Sequence, residues 1–198
     1  MDSQVTLVTV APAVRLVFSQ DSMKNATLFL NSTPTYIMTT DMNDRITELR
    51  AAATNELLAR ITRKEILHDT VVFPALHGGK AIRVANWLTK STLPQSACTR
   101  HTIQTHHGNY ILCSHPTYRL ALYREDDTDT PIAHWDRHSS ISLPTLLIRD
   151  EALASIRAEI IAAFVVREFR VRMKEKAAQV ALGSPAGRTV YAPVTKNV

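Results

Sequence analysis

Glycine is scarce in this chain, with 5 in 198 residues. No Gly-x-Gly-x-x-Gly occurs, and Gly78-Gly79-Lys80 lacks both the spaced first glycine and the Ser/Thr that follows lysine in a phosphate loop. Nucleotide cradles built on glycine backbone are therefore excluded. The sequence has no G-x-S-x-G nucleophile elbow. It has only two cysteines, Cys98 and Cys113, too few for a disulfide scaffold. Met1–Pro12 lacks the basic start and small-residue cleavage site of a secretion signal. Asp2 excludes myristoylation, and the sequence ends on Lys-Asn-Val. An intracellular, cytoplasmic location, with a membrane periphery as the alternative, is the expectation. No apolar run reaches the roughly 20 residues that span a bilayer.

What is present is one apolar helix. Residues Ala152–Val166 read ALASIRAEIIAAFVV, with only Arg157 and Glu159 charged. A surface helix shows one apolar stripe, whereas a helix apolar all round is buried. The spacing predicts a central helix at about 150–182, with Gly183-Ser184-Pro185 ending it.

Ahead of the helix lie short strand-like runs. They are Arg15–Phe18, Ala26–Leu30, Thr35–Thr40, Ile46–Ala52, Glu56–Lys64, Thr70–Phe73 and Ala81–Leu88, then Thr99–Thr105, Tyr110–Ser114, Tyr118–Arg124, Ile132–Asp136 and Leu146–Ile148. Turn signals such as Asn31-Ser32-Thr33-Pro34 and His107-Gly108-Asn109 separate many of them. Leu57, Ala59 and Ile61 share one face by alternation, as do Tyr118, Leu120 and Leu122. Ala51–Ala59 also suits a helix by local propensity. Twelve strands in an open sheet would leave long exposed edges, which closure removes. The predicted fold is mainly β: a closed antiparallel β-barrel around the hydrophobic helix. The other architecture compatible with this pattern is a β-sandwich with the helix packed on one face. Residues 1–13 are expected to form an arm or first strand, 14–182 a single domain, and 183–198 a flexible tail.

Charge is placed unevenly. Of the 23 Lys+Arg, 7 lie in residues 167–198 with only 2 of the 18 Asp+Glu; the remaining 16 and 16 cancel. The basic residues at the helix exit are Arg167, Arg170, Arg172, Lys174 and Lys176. Positions 167, 170 and 174 fall along one side of a helix, so their charges could address one anionic surface. A solvated helix end, with cations favoured by the helix dipole, is the plainer reading of the same cluster.

Chemistry-bearing constellations are thin. Cys98-x2-His101 and Cys113-x-His115 resemble halves of a zinc site, but small core cysteines on adjacent strands account for them. His134-x3-His138 has helical chelate spacing within a strand-like stretch, and His106-His107 sits at a hairpin tip. Glu125-Asp126-Asp127-Thr128-Asp129 lacks the spacing and glycine of a calcium loop. Trp87 and Trp135 read as core. No catalytic residue, metal ligand or cofactor is assigned.

One resemblance is visible. It is carried by Leu16-Val17-Phe18 with Asn25-Ala26-Thr27-Leu28, then Tyr36-Ile37-Met38-Thr39-Thr40, and Gly108-Asn109-Tyr110 leading into Tyr118-Arg119-Leu120-Ala121-Leu122-Tyr123. Pro131-Ile132-Ala133-His134-Trp135 and Val165-Val166-Arg167-Glu168-Phe169-Arg170 complete it. On these residues the chain resembles an uncharacterised, mushroom-type fungal family of unknown function. That family looks like a relative of the tubby C-terminal, LURP-one and scramblase-like barrels, in which a closed barrel surrounds a hydrophobic helix. The resemblance brings no established activity; related barrels often bind membrane phosphoinositides. The leading expectation is a non-enzymatic intracellular binding or scaffold module. The others are a peripheral phosphoinositide-binding module and an unrecognised hydrolase or metal enzyme. The partner would be an anionic membrane surface or another protein, and nothing in the sequence favours nucleic acid.

Overall fold

A computed structural model describes residues 13–64, 66–92, 99–136, 143–149 and 151–183. Residues 1–12 of the expected arm, residues 184–198 of the expected tail, Cys98 and His138 lie outside the described residues. The first seven strands are β1 Val14–Phe18, β2 Ala26–Leu30, β3 Thr33–Thr40, β4 Ile46–Ala51, β5 Leu57–Thr62, β6 Thr70–Val72 and β7 Ile82–Arg83. After a helical turn, α1 Val84–Trp87, come β8 Leu88–Thr92, β9 Thr99–Thr105, β10 Gly108–His115, β11 Arg119–Arg124, β12 Ala133–Asp136 and β13 Thr145–Ile148. A 3-10 turn over Glu151–Ile156 then leads into the long helix α2, Arg157–Gly183.

All thirteen strands form one antiparallel sheet in the order β7-β6-β5-β4-β3-β2-β1-β13-β12-β11-β10-β9-β8. The sheet is mainly β with one C-terminal helix, as the pattern predicts, but it is not a closed barrel. Nor is it a sandwich, since there is one sheet rather than two. The reason lies at Ile82–Thr92, expected as the single strand Ala81–Leu88. Val84 and Trp87 are both buried to 1% exposure, and Trp87 packs on Phe73 with ring centroids 5.3 Å apart. Sinking both side chains coils the backbone into α1 and interrupts the ladder. β7 pairs only with β6, and β8 only with β9. In an alternating order of thirteen, the two edges run the same way, so no antiparallel pairing can join them.

The inner face follows the pleat. Leu16 and Phe18, Ala59 and Ile61, Leu120 and Leu122, and Leu146 and Ile148 alternate inward and are buried. Ala51–Ala59 forms strand, turn and strand rather than a helix, and Tyr118 lies in the turn before β11. Asn31 and Ser32 take left-handed backbone at φ 49° and 66°, the two-residue turn that suits the twist of the β2–β3 hairpin. Ile160 to Val166 are each at most 5% exposed, so the sheet curls around every side of α2. From Phe169 to Arg172 the helix is half-buried, and from Met173 to Val180 it is exposed.

Antiparallel order puts alternate connections at opposite ends. The helix enters beside the β6–β7 and β9–β10 connections. It leaves beside β1–β2, β3–β4, β5–β6 and β10–β11. Among the described residues, no helix is long and apolar enough to cross a membrane.

Candidate functional site

The two ends of α2 carry different chemistry. At entry, Glu159 is fully buried. Its Oε1 lies 2.7 Å from Nε2 of His77, and its Oε2 lies 3.1 Å from Nδ1 of His106. His77, Gly78 and Gly79 all have φ between 51° and 67°, a left-handed run that turns the β6–β7 connection onto the helix. Both histidines thus come from loops that cap the helix start. Among the described residues, no group of three or more His, Cys, Asp or Glu could hold a metal ion. Asp127 accepts the backbone N–H groups of Asp129 and Thr130, so the acidic run closes a turn.

At the exit, ion pairs sort the basic cluster. Glu168, fully buried, accepts Nε of Arg119 at 2.7 Å and Nε of Arg172 at 2.7 Å. Arg119 also holds Glu175 at 2.9 Å, and Arg172 also pairs with Asp21. Burial pulls the Arg119 guanidinium down, but its bonds to Glu175 and Glu168 outweigh that and raise it. Arg170 meets Asp69 at 2.9 Å. Lys176 is exposed on the emergent helix.

Arg167 differs from the rest. It is 8% exposed, and its Nε has no hydrogen-bond partner among the described residues. Burial first, then the neighbouring Arg170, shift its guanidinium below the ordinary arginine range. It opens into a pocket of about 340 Å³ at the helix exit. Arg167, Arg170, Met173, Lys174 and Phe169 supply one wall from α2, and Lys90 of β8 with Thr99 and His101 of β9 supply the other. Thus 167, 170 and 174 do face one hollow, while Arg172 is tied up elsewhere. No carboxylate lines the pocket among the described residues.

His101 is the second buried polar group there, at 4% exposure, and its Nδ1 has no partner. Burial, reinforced by Arg167, Arg170, Lys90 and Lys174, pushes its pKa down to about 4. The imidazole is therefore neutral at neutral pH. Lys90 and Thr99 carry no signal in the sequence, and His101 carries only the Cys98-x2-His101 spacing, because all three reach the helix through the β8–β9 pairing. The arrangement offers cations and an imidazole nitrogen to an anion. Among the described lining residues no nucleophile stands beside a base.

Comparison with known proteins agrees with an uncharacterised lineage. The profile of the Family of unknown function (DUF6593) matches residues 21–173. The chain belongs to this family. No curated protein and no solved structure matches it. The match covers β2 to β13 and α2 as far as Met173, and so includes the lining of the exit pocket apart from Lys174.

Proposed function

We propose that this DUF6593 protein is a non-catalytic, intracellular binding module whose ligand is an anion, seated in the pocket where α2 leaves the sheet. One observation carries the reading: Arg167 is buried, its Nε has no hydrogen-bond partner among the described residues, and it lines a hollow where they place no carboxylate. An uncompensated buried charge costs several kcal/mol, and an anionic occupant offsets that cost. A positive group held at such expense is a mark of a site rather than of packing. The test is thermal unfolding with inorganic pyrophosphate. The parent protein is expected to gain melting temperature with pyrophosphate. Arg167→Met is expected to melt at the same temperature or higher without ligand, and to gain nothing with it. Equal ligand stabilisation of both proteins would remove Arg167 from the site.

A second reading, a peripheral membrane module for phosphoinositides, is favoured by the same end of the molecule. Met42 on the β3–β4 connection is fully exposed, and Ile66 and Leu67 on β5–β6 are 95% and 66% exposed. Ile66 and Leu67 flank a hollow shared with Arg45 and Lys64. Apolar tips beside basic side chains suit an anionic lipid surface. Kinship with tubby-type proteins and a fungal origin belong to this reading, on the shared pattern of an apolar helix inside antiparallel strands. On it, Ile66→Ser with Leu67→Ser reduces sedimentation with phosphoinositide-containing vesicles at low salt. Unchanged sedimentation counts against insertion of these tips.

A further inference from the structure

Charge counting in the exit pocket goes further than "anion". Four cations line it, of which Arg170 is shared with Asp69 at 2.9 Å. Lys90, Arg167 and Lys174 have no carboxylate partner among the described residues. The nearest buried carboxylate on the helix, Glu168, is consumed by Arg119 and Arg172. A singly charged ligand leaves two of the three cations uncompensated. A phosphate monoester carries about −1.5 to −2 at neutral pH and presents three acceptor oxygens. The planar guanidinium of Arg167 suits such oxygens better than a point charge does.

The pocket is also larger than a bare ion needs. A water takes about 30 Å³ of liquid volume, so the hollow has room for roughly ten. Part of its wall is apolar. Phe169 is fixed from behind by the Arg63 guanidinium, 4.3 Å from its ring centroid, and Met173 beside it is 51% exposed. Cations on one side and an apolar rim on the other suit a ligand with a charged head and a carbon skeleton.

We propose that the pocket holds the dianionic phosphate of a monoester among Lys90, Arg167 and Lys174, with its organic group against Phe169 and Met173. This rests on the anion-binding reading above. His101 supplies a buried ring nitrogen within the same wall, and Thr99 a hydroxyl. The monoester is either a soluble metabolite or a lipid headgroup, since both present the same phosphate.

Isothermal calorimetry on the full chain at pH 7.5 tests this with three probes: phenyl phosphate, phenyl sulfate and inorganic phosphate. The first two share a shape and differ by one charge. Each unit charge within reach of one further cation adds roughly fivefold to tenfold in affinity. Phenyl phosphate is therefore expected to bind at least fivefold tighter than phenyl sulfate, and tighter than inorganic phosphate. Lys174→Ala, at an exposed helix position, is expected to cost a similar factor for phenyl phosphate with the melting temperature unchanged. Equal affinity for sulfate and phosphate esters would overturn the dianion assignment and leave the anion reading standing. No heat with any of the three would overturn both. Vesicles carrying phosphatidic acid, against vesicles carrying equal charge as phosphatidylglycerol, separate the sources. Selective pelleting with phosphatidic acid, reversed by phenyl phosphate, assigns the lipid headgroup. Phenyl phosphate binding without pelleting assigns the soluble ester.

Discussion

Buried charge along α2 comes in three forms. Glu159 holds two histidines, Glu168 holds two arginines, and the Nε of Arg167 has no partner among the described residues. The three respond differently to removal. Glu168→Leu leaves Arg119 and Arg172 without their shared carboxylate, and is expected to cost about 3 kcal/mol in denaturant unfolding. Arg167→Met costs nothing on the same measurement. Arg172→Gln belongs with Glu168, since it removes the ion pairs of Arg172 with Asp21 and Glu168, and it reports on stability rather than on ligand binding. His101 sets a pH dependence. Its folded pKa of about 4 lies below the ordinary 6.5, so the unfolded chain binds the proton more readily. Its contribution is full above pH 6.5 and is lost as pH falls toward 4, by up to about 3 kcal/mol. His101→Phe is expected to flatten that limb of a stability–pH curve. An unchanged slope between pH 6.5 and 4 would show that other groups dominate it.

The elements differ in how openly the sequence declares them. Ala26–Leu30 and Thr99–Thr105 are readable to the residue, because alternation and turn residues agree. The all-round apolar stretch of α2 is equally plain, and it is the enclosed part of the helix. Phe164→Asp is expected to abolish soluble expression, since its ring lies against Trp135 with centroids 6.4 Å apart and no exposure. Normal expression with an unchanged melting temperature would contradict an enclosed helix. Ile82–Thr92 is misleading for a physical reason. Its local alternation reads as one strand, while burial of Val84 and Trp87 is a tertiary demand that only the finished core imposes. The candidate site divides the same way. Arg167, Arg170 and Lys174 are legible as one helical side. Lys90 and His101 on the far wall are not, and neither are Asp69 and Asp21, which neutralise two of the expected arginines. Those contacts join residues 66 to 151 positions apart, and periodicity carries no information about them.

At the scale of the molecule, one sheet surrounds one helix, and the helix follows every described strand in chain order. β1 pairs with β13, so the ladder too is completed only near the end. During synthesis the ribosome therefore delivers a long apolar sheet face well before the segment that covers it. Until residues 152–166 emerge, Leu16, Phe18, Leu28 and Ile103 have no helix to pack upon. Such a nascent chain has high contact order and exposed strand edges, the conditions under which chaperones are engaged. A fragment ending at residue 150 is expected to aggregate, and a separate peptide of residues 151–183 supplied during refolding is expected to restore solubility. The helix thus acts as the chain's own late-arriving folding partner.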